Sequence, residues 1–191
     1  MTATILKPTL DTFLKLPETS PASEFMNGQV VQKPMPQGKH SALQFQMATA
    51  INATGIPQQI AYAFPALRCT FENRSIVPDI AVFYWHHIPF DNDGDVGNAF
   101  TVAPDWTIEI LSPGQSQTKV TDNILFCLRH GTKLGWFIDP EEKAILCFQP
   151  GQLPEIKRQP QDSVPVLEGL DLTLTVEQIF NWLKLSQTTS L

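Results

Sequence analysis

Two flanking segments, Pro104-Asp-Trp-Thr-Ile-Glu-Ile-Leu-Ser-Pro113 and Leu134-Gly-Trp-Phe-Ile-Asp-Pro140, and the stretch between them decide the fold. Trp106 to Leu111 is a short, β-rich run bounded by Asp and Pro, and it reads as a strand. Ser116 can cap a helix that carries Val120, Ile124, Cys127 and Leu128 along one stripe up to Gly131. Leu134 to Ile138 returns to strand character. It is followed by a turn at Asp139-Pro-Glu-Glu142 and a further strand from Ala144 to Phe148. Strand, helix, strand is the connection that joins parallel neighbours, so the pattern predicts an α/β domain with a mixed sheet flanked by helices.

Upstream, Ile80 to Trp85, Leu67 to Phe71 and Gln59 to Phe64 are further strand-like runs. Lys39 to Ala53 places Leu43, Met47, Ala50 and Ile51 at helical spacing and predicts a helix that stops before Gly55 and Pro57. Glu24 to Val31 reads as an N-terminal β-hairpin arm, because Asn27-Gly28 is a strong two-residue turn signal. Asp11 to Leu16 predicts a short helix stopped by Pro17, and Val176 to Leu185 a closing one. No repeat or long Gly/Ser linker divides the chain, so residues 1–191 read as one domain.

The 191 residues are 42% hydrophobic and 17% charged, with 13 Lys plus Arg against 19 Asp plus Glu, a net charge of −6. That profile lies away from disorder and from disulfide scaffolds, and its sign argues against bulk electrostatic coating of nucleic acid or anionic membrane. Cys69, Cys127 and Cys147 form no CxxC pair, which fits a reducing, cytoplasmic setting. Residues 1–7 do not resemble the start of a signal peptide, and no run of ~18 apolar residues occurs, so neither export by that route nor a membrane span is expected.

Two acidic residues sit where a strand pattern is otherwise apolar: Asp79, in Val77-Pro-Asp-Ile-Ala-Val-Phe83, and Glu109. In a strand, Ile108 and Ile110 share one face while Thr107, Glu109 and Leu111 share the other. Burying a carboxylate there requires a cation or hydrogen-bond donors; a solvated face or an Arg partner is the ordinary alternative for Glu109.

With Val77-Pro78-Asp79, Glu109-Ile-Leu-Ser-Pro113 and Gly135-Trp-Phe-Ile-Asp-Pro140 taken together, the chain resembles the PD-(D/E)XK nuclease superfamily, a restriction-endonuclease-like fold, over Glu24 to Phe148. More narrowly it is similar to the Uma-two type of restriction endonucleases. The resemblance implies a Mg²⁺- or Mn²⁺-dependent DNA endonuclease in which Asp79, Glu109 and the backbone carbonyl of Ile110 hold the metal. Glu24 would bind or orient metal through water. His40, at the start of the first long helix, would contact phosphate, or else cap or pack.

The superfamily lysine position, two residues after the Glu, holds Leu111, and the helical substitute position of the narrower family holds Asn123. Lys119 lies one turn earlier on the same helical face and is the candidate to hold the attacking water, with an ordinary solvated lysine as the alternative. The missing lysine also supports a rival reading, a catalytically inactive nuclease fold serving as a binding or assembly module. By analogy with nucleases that cut both strands, a homodimer is expected. Lys39, Arg68, Arg74, Lys119 and Arg129 fall in or beside the elements of the proposed site, whereas Asp91, Asp93, Asp95, Glu141 and Glu142 fall in turns away from it. A locally basic cleft is therefore compatible with the acidic total.

Other features reduce to ordinary roles. Asp91-Asn-Asp-Gly-Asp95 has Gly fourth instead of sixth and Val102 where a calcium loop needs a bidentate Glu, so it reads as a polar surface loop. His86-His87 reads as a strand-end turn, and Cys127 as part of an apolar stripe rather than a nucleophile.

Overall fold

The computed structural model describes residues 8–185. The first seven residues, which bear on the expectation about export, lie outside that range. In chain order the elements are α1 (Leu10–Phe13), β1 (Ser23–Met26), β2 (Gln29–Gln32), α2 (Gly38–Gln58), β3 (Ala61–Pro65), β4 (Cys69–Phe71), β5 (Arg74–Ile76), β6 (Ile80–Tyr84), β7 (Trp106–Ile110), α3 (Gln117–Arg129), β8 (Leu134–Asp139), β9 (Ala144–Phe148), β10 (Glu155–Lys157), β11 (Ser163–Val164), β12 (Leu174–Thr175) and α4 (Val176–Asn181). The six-stranded sheet has the order β10-β9-β8-β7-β6-β3. Only β7 and β8 run parallel within it, joined through α3, and every other pair is antiparallel. This is the mixed sheet that the sequence predicts.

Side-chain alternation divides the sheet into two faces. Ile80, Val82, Trp106, Ile108, Ile110, Trp136 and Ile138 point toward α2 and α4, where Leu43, Met47, Ile51, Ile179 and Phe180 meet them. Each such fully buried side chain contributes about 1.5–3 kcal/mol. The opposite face receives α3, whose Val120 and Ile124 pack on Phe137 and Phe148. Ala81 and Phe83 pack there with Cys69, Phe71 and Ile76 of a second sheet, ordered β2-β1-β5-β4. Hence Ile108 and Ile110 do face one core and Glu109 faces away from it, toward the α3 side.

The hairpin forms as expected: Glu24 pairs with Val31, and Asn27 and Gly28 both take positive φ, 51° and 74°, as a tight two-residue hairpin turn requires. Helix α2 differs from expectation. It runs through Gly55 and Pro57 to Gln58 and stops at Gln59, which takes the left-handed conformation. Gly55 does not end the helix; it lets the helix touch β3, where a Cβ would collide with the Ala61 carbonyl. Asn52 of the same helix clamps the exposed edge of β3, donating to the Ala63 carbonyl and accepting its N–H at 3.0 and 2.7 Å. The first and last helices are shorter than predicted, at Leu10–Phe13 and Val176–Asn181. The sequence reading also omitted β5, which is three residues long, and β10 to β12. Among the described residues no helix is long and apolar enough to cross a membrane.

Candidate active site

Val77-Pro78-Asp79 enters β6 beside the far end of β7, where Ile80 pairs with Ile108. The antiparallel register brings Asp79 alongside Glu109 and Ile110. Asp79 Oδ2 accepts the Ile110 N–H at 2.7 Å and lies 3.0 Å from His40 Nε2, so this carboxylate is fixed by a strand amide and by the first turn of α2. The Asp79 backbone carbonyl accepts from Gln44 Nε2 at 2.7 Å and from the Ala66 N–H at 3.0 Å. Glu24, reaching in from β1, accepts the Val77 N–H at 2.8 Å and the Asn123 side-chain amide at 3.3 Å. Asp79, Glu109, Glu24 and His40 thus converge, all four buried.

The contact that reading the sequence missed is Lys33, one residue beyond β2. Its ammonium donates to Asp79 Oδ1 at 2.7 Å, to the Val77 carbonyl at 2.8 Å and to Glu109 Oε2 at 3.2 Å, which accounts for all three of its protons. A signal for it existed. Glu24 and Val31 are cross-strand partners and share a face, and period-two alternation places Lys33 on that same face. Lys119 is exposed and lines a cavity of about 340 Å³ together with Glu24, Lys33, Glu109 and Asn123. A second cavity of about 220 Å³, lined by His40, Gln44, Asp79 and Gln115, also has Lys33 in its wall.

The electrostatics follow from burial and this one cation. Burial alone would raise the Asp79 pKa, but the charge of Lys33 and the bond and charge of His40 overrule it and hold the carboxyl down at about 2. Burial pushes Glu109 up to about 8, with the charges of Asp79 and Glu24 adding to it and Lys33 opposing it. Burial also raises Glu24, against Lys33 and the Val77 amide. Lys33 is held above the ordinary lysine range, since Asp79, Glu109 and Glu24 together outweigh its desolvation. The cluster is therefore an ionised Asp79 held against an ammonium, beside a Glu109 whose carboxyl burial biases toward its protonated form. One carboxyl oxygen, Glu109 Oε1, is buried without a hydrogen-bond partner.

The predicted basic surroundings are largely neutralised. Lys39 pairs with Glu141 at 2.8 Å, which brings that glutamate to the head of α2 instead of away from the site. Arg68 pairs with Glu18 and Arg74 with Asp122. Asp91 spends its carboxylate on the amides of Asp93 and Asp95, as befits a surface loop. His87 pairs with the buried Asp105 at 2.9 Å just after β6. Cys127 is fully buried beside Phe126, in keeping with a packing role.

A crystal structure described as that of "a putative nuclease belonging to DUF820 from Anabaena variabilis ATCC 29413" is similar to this chain. The two are 54% identical, with a TM-score of 0.91, over 93% of this chain and 99% of that one. No protein of curated function matches. Over residues 10–177 the sequence matches the Uma2 family, described as "Putative restriction endonuclease". With the match spanning the hairpin arm, both acidic strands and the parallel crossover, the chain belongs to the Uma2 family.

Proposed function

We propose that this protein is a metal-dependent endonuclease that hydrolyses DNA phosphodiesters at the Asp79–Glu109 pair. Three groups would hold a Mg²⁺ or Mn²⁺ ion: the ionised Asp79 carboxylate, the Glu109 carboxyl with its unpartnered Oε1, and the backbone carbonyl of Ile110, whose N–H already meets Asp79. Among the described residues no three His, Cys, Asp or Glu side chains form a metal-binding group. An ion here would thus rely on few protein oxygens plus water and phosphate, which is how Mg²⁺ is usually held. When bound, such an ion activates water and offsets the charge that grows on the phosphoryl group.

The chain's own residues supply position and charge. The Ile110 N–H and His40 hold Asp79 in one orientation, so His40 acts through the carboxylate. Asn123 and the Val77 N–H hold Glu24 where it can orient water at the edge of the larger cavity. Lys119, on the rim of that cavity, can meet a backbone phosphate. Attack by water breaks one P–O bond; the hydroxyl goes to phosphorus and a proton to the leaving oxygen.

The observation that carries this reading is the buried Glu109 carboxyl, held without a full set of partners beside Asp79. Plasmid nicking tests it. The wild type should cut in Mn²⁺ and not in EDTA, and Glu109→Gln should lose at least about a hundredfold in rate. Full cleavage by Glu109→Gln would overturn the reading. Metal binding without cleavage of double- or single-stranded DNA over a wide salt range would instead favour the inactive binding module. The leucine at position 111, where the superfamily has lysine, is the observation on that side.

A further inference from the structure

Resting on the metal-dependent reading above, we infer that Lys33 is a resident cation that holds the site assembled when no divalent ion is bound, and that such an ion must displace its ammonium from Asp79 and Glu109. The ammonium spends every donor inside the site: one on each carboxylate and one on the Val77 carbonyl. It therefore touches both of the side chains that would hold the ion. Without it, Asp79 would keep only His40 and the Ile110 N–H, and the buried Glu109 carboxyl would lose its one hydrogen-bond donor. A divalent cation and an ammonium drawing on the same two carboxyl groups repel each other strongly in a desolvated site.

Lys33 also has somewhere to go. Its side chain lies in the walls of both cavities, and it follows directly on the last paired strand of the hairpin arm. A modest swing of the butyl stem carries the ammonium into either space while the Lys33 amide stays bonded to the Ala22 carbonyl at 2.9 Å. Freed beside the carboxylates, it becomes a mobile cation for a phosphate. That supplies from the hairpin arm the lysine that is absent at Leu111, and it leaves Asn123 to its bond with Glu24.

The test reads Lys33 directly in the wild-type protein. Its rate of acylation by an amine-reactive ester is followed by peptide mass spectrometry with and without Mg²⁺, at concentrations that calorimetry shows to saturate the site. Displacement predicts a rise of at least about fivefold at Lys33, with Lys143 and Lys157 unchanged. An unchanged or lower rate at Lys33 overturns the inference and leaves the metal-dependent reading standing. If calorimetry finds no Mg²⁺ binding at all, that reading fails and the inference falls with it. A second readout uses Lys33→Gln: with its competitor removed, Mg²⁺ should raise the thermal midpoint of the variant more than that of the wild type. An equal or smaller rise overturns the inference.

Discussion

Asp79 accepts the backbone N–H of Ile110 at 2.7 Å, so the residue just before β6 is bonded across to the strand that carries Glu109. The same carboxylate also meets Lys33 and His40. Asp79→Ala should therefore cost about 3–5 kcal/mol in urea unfolding, since it strands a buried ammonium and an amide. Asp79→Asn keeps an acceptor for Ile110 and should cost less, about 1–3 kcal/mol, while still losing cleavage. Equal costs for the two variants would show that these bonds do not hold the site together.

Stability should depend on pH through Glu109. Its folded pKa, about 8, lies above its ordinary value of 4.5, so between those limits the folded state binds more protons than the unfolded state. Stability from this group then falls as pH rises through that window. Asp79, held at about 2, works in the opposite sense: its contribution is present above 3.8 and is lost as pH falls toward 2. Urea unfolding at pH 5 and pH 9 should show the wild type losing more stability than Glu109→Gln; equal losses would contradict this assignment.

The crossover that builds the site depends on a close approach at Gly135. A Cβ there would run into the Cγ2 methyl of Ile124 on α3, in the packed layer between helix and sheet. Gly135→Ala should destabilise by about 1–3 kcal/mol and shift the denaturant midpoint without changing the slope. A neutral result would mean that α3 can lift off β8 freely.

The two lysines should separate in activity. Lys119 is exposed on the cavity rim, so Lys119→Ala should lower cleavage less than about tenfold, and by less still at high salt. Lys33→Gln, which removes the cation offered to the phosphate, should lower it more than about a hundredfold. The reverse order would return the catalytic lysine to α3.

The sequence showed the β7–α3–β8 crossover and the hairpin because each carries its own local signal: a change of hydrophobic period in one, Asn-Gly in the other. Asp79 and Glu109 stood out as acids inside apolar strands. β5 did not, since three residues of Arg-Ser-Ile give no periodicity. The end of α2 was misplaced because Gly55 answers to the Ala61 carbonyl, a neighbour in space rather than along the chain. Lys33, flanked by Gln32 and Pro34, has only one local mark, its place on the Val31 face of the hairpin arm. Its importance comes from a contact 46 residues away with Asp79 and another 76 residues away with Glu109.

The central claim, that Asp79 and Glu109 form a divalent-cation site, is tested most directly by a crystal soaked in Mn²⁺ and measured for anomalous scattering. The account predicts a peak bonded to both carboxylates, with the Lys33 ammonium moved off them into one of the two cavities. Saturating Mn²⁺ with no peak at that position, and Lys33 still bridging Asp79 and Glu109, would contradict it.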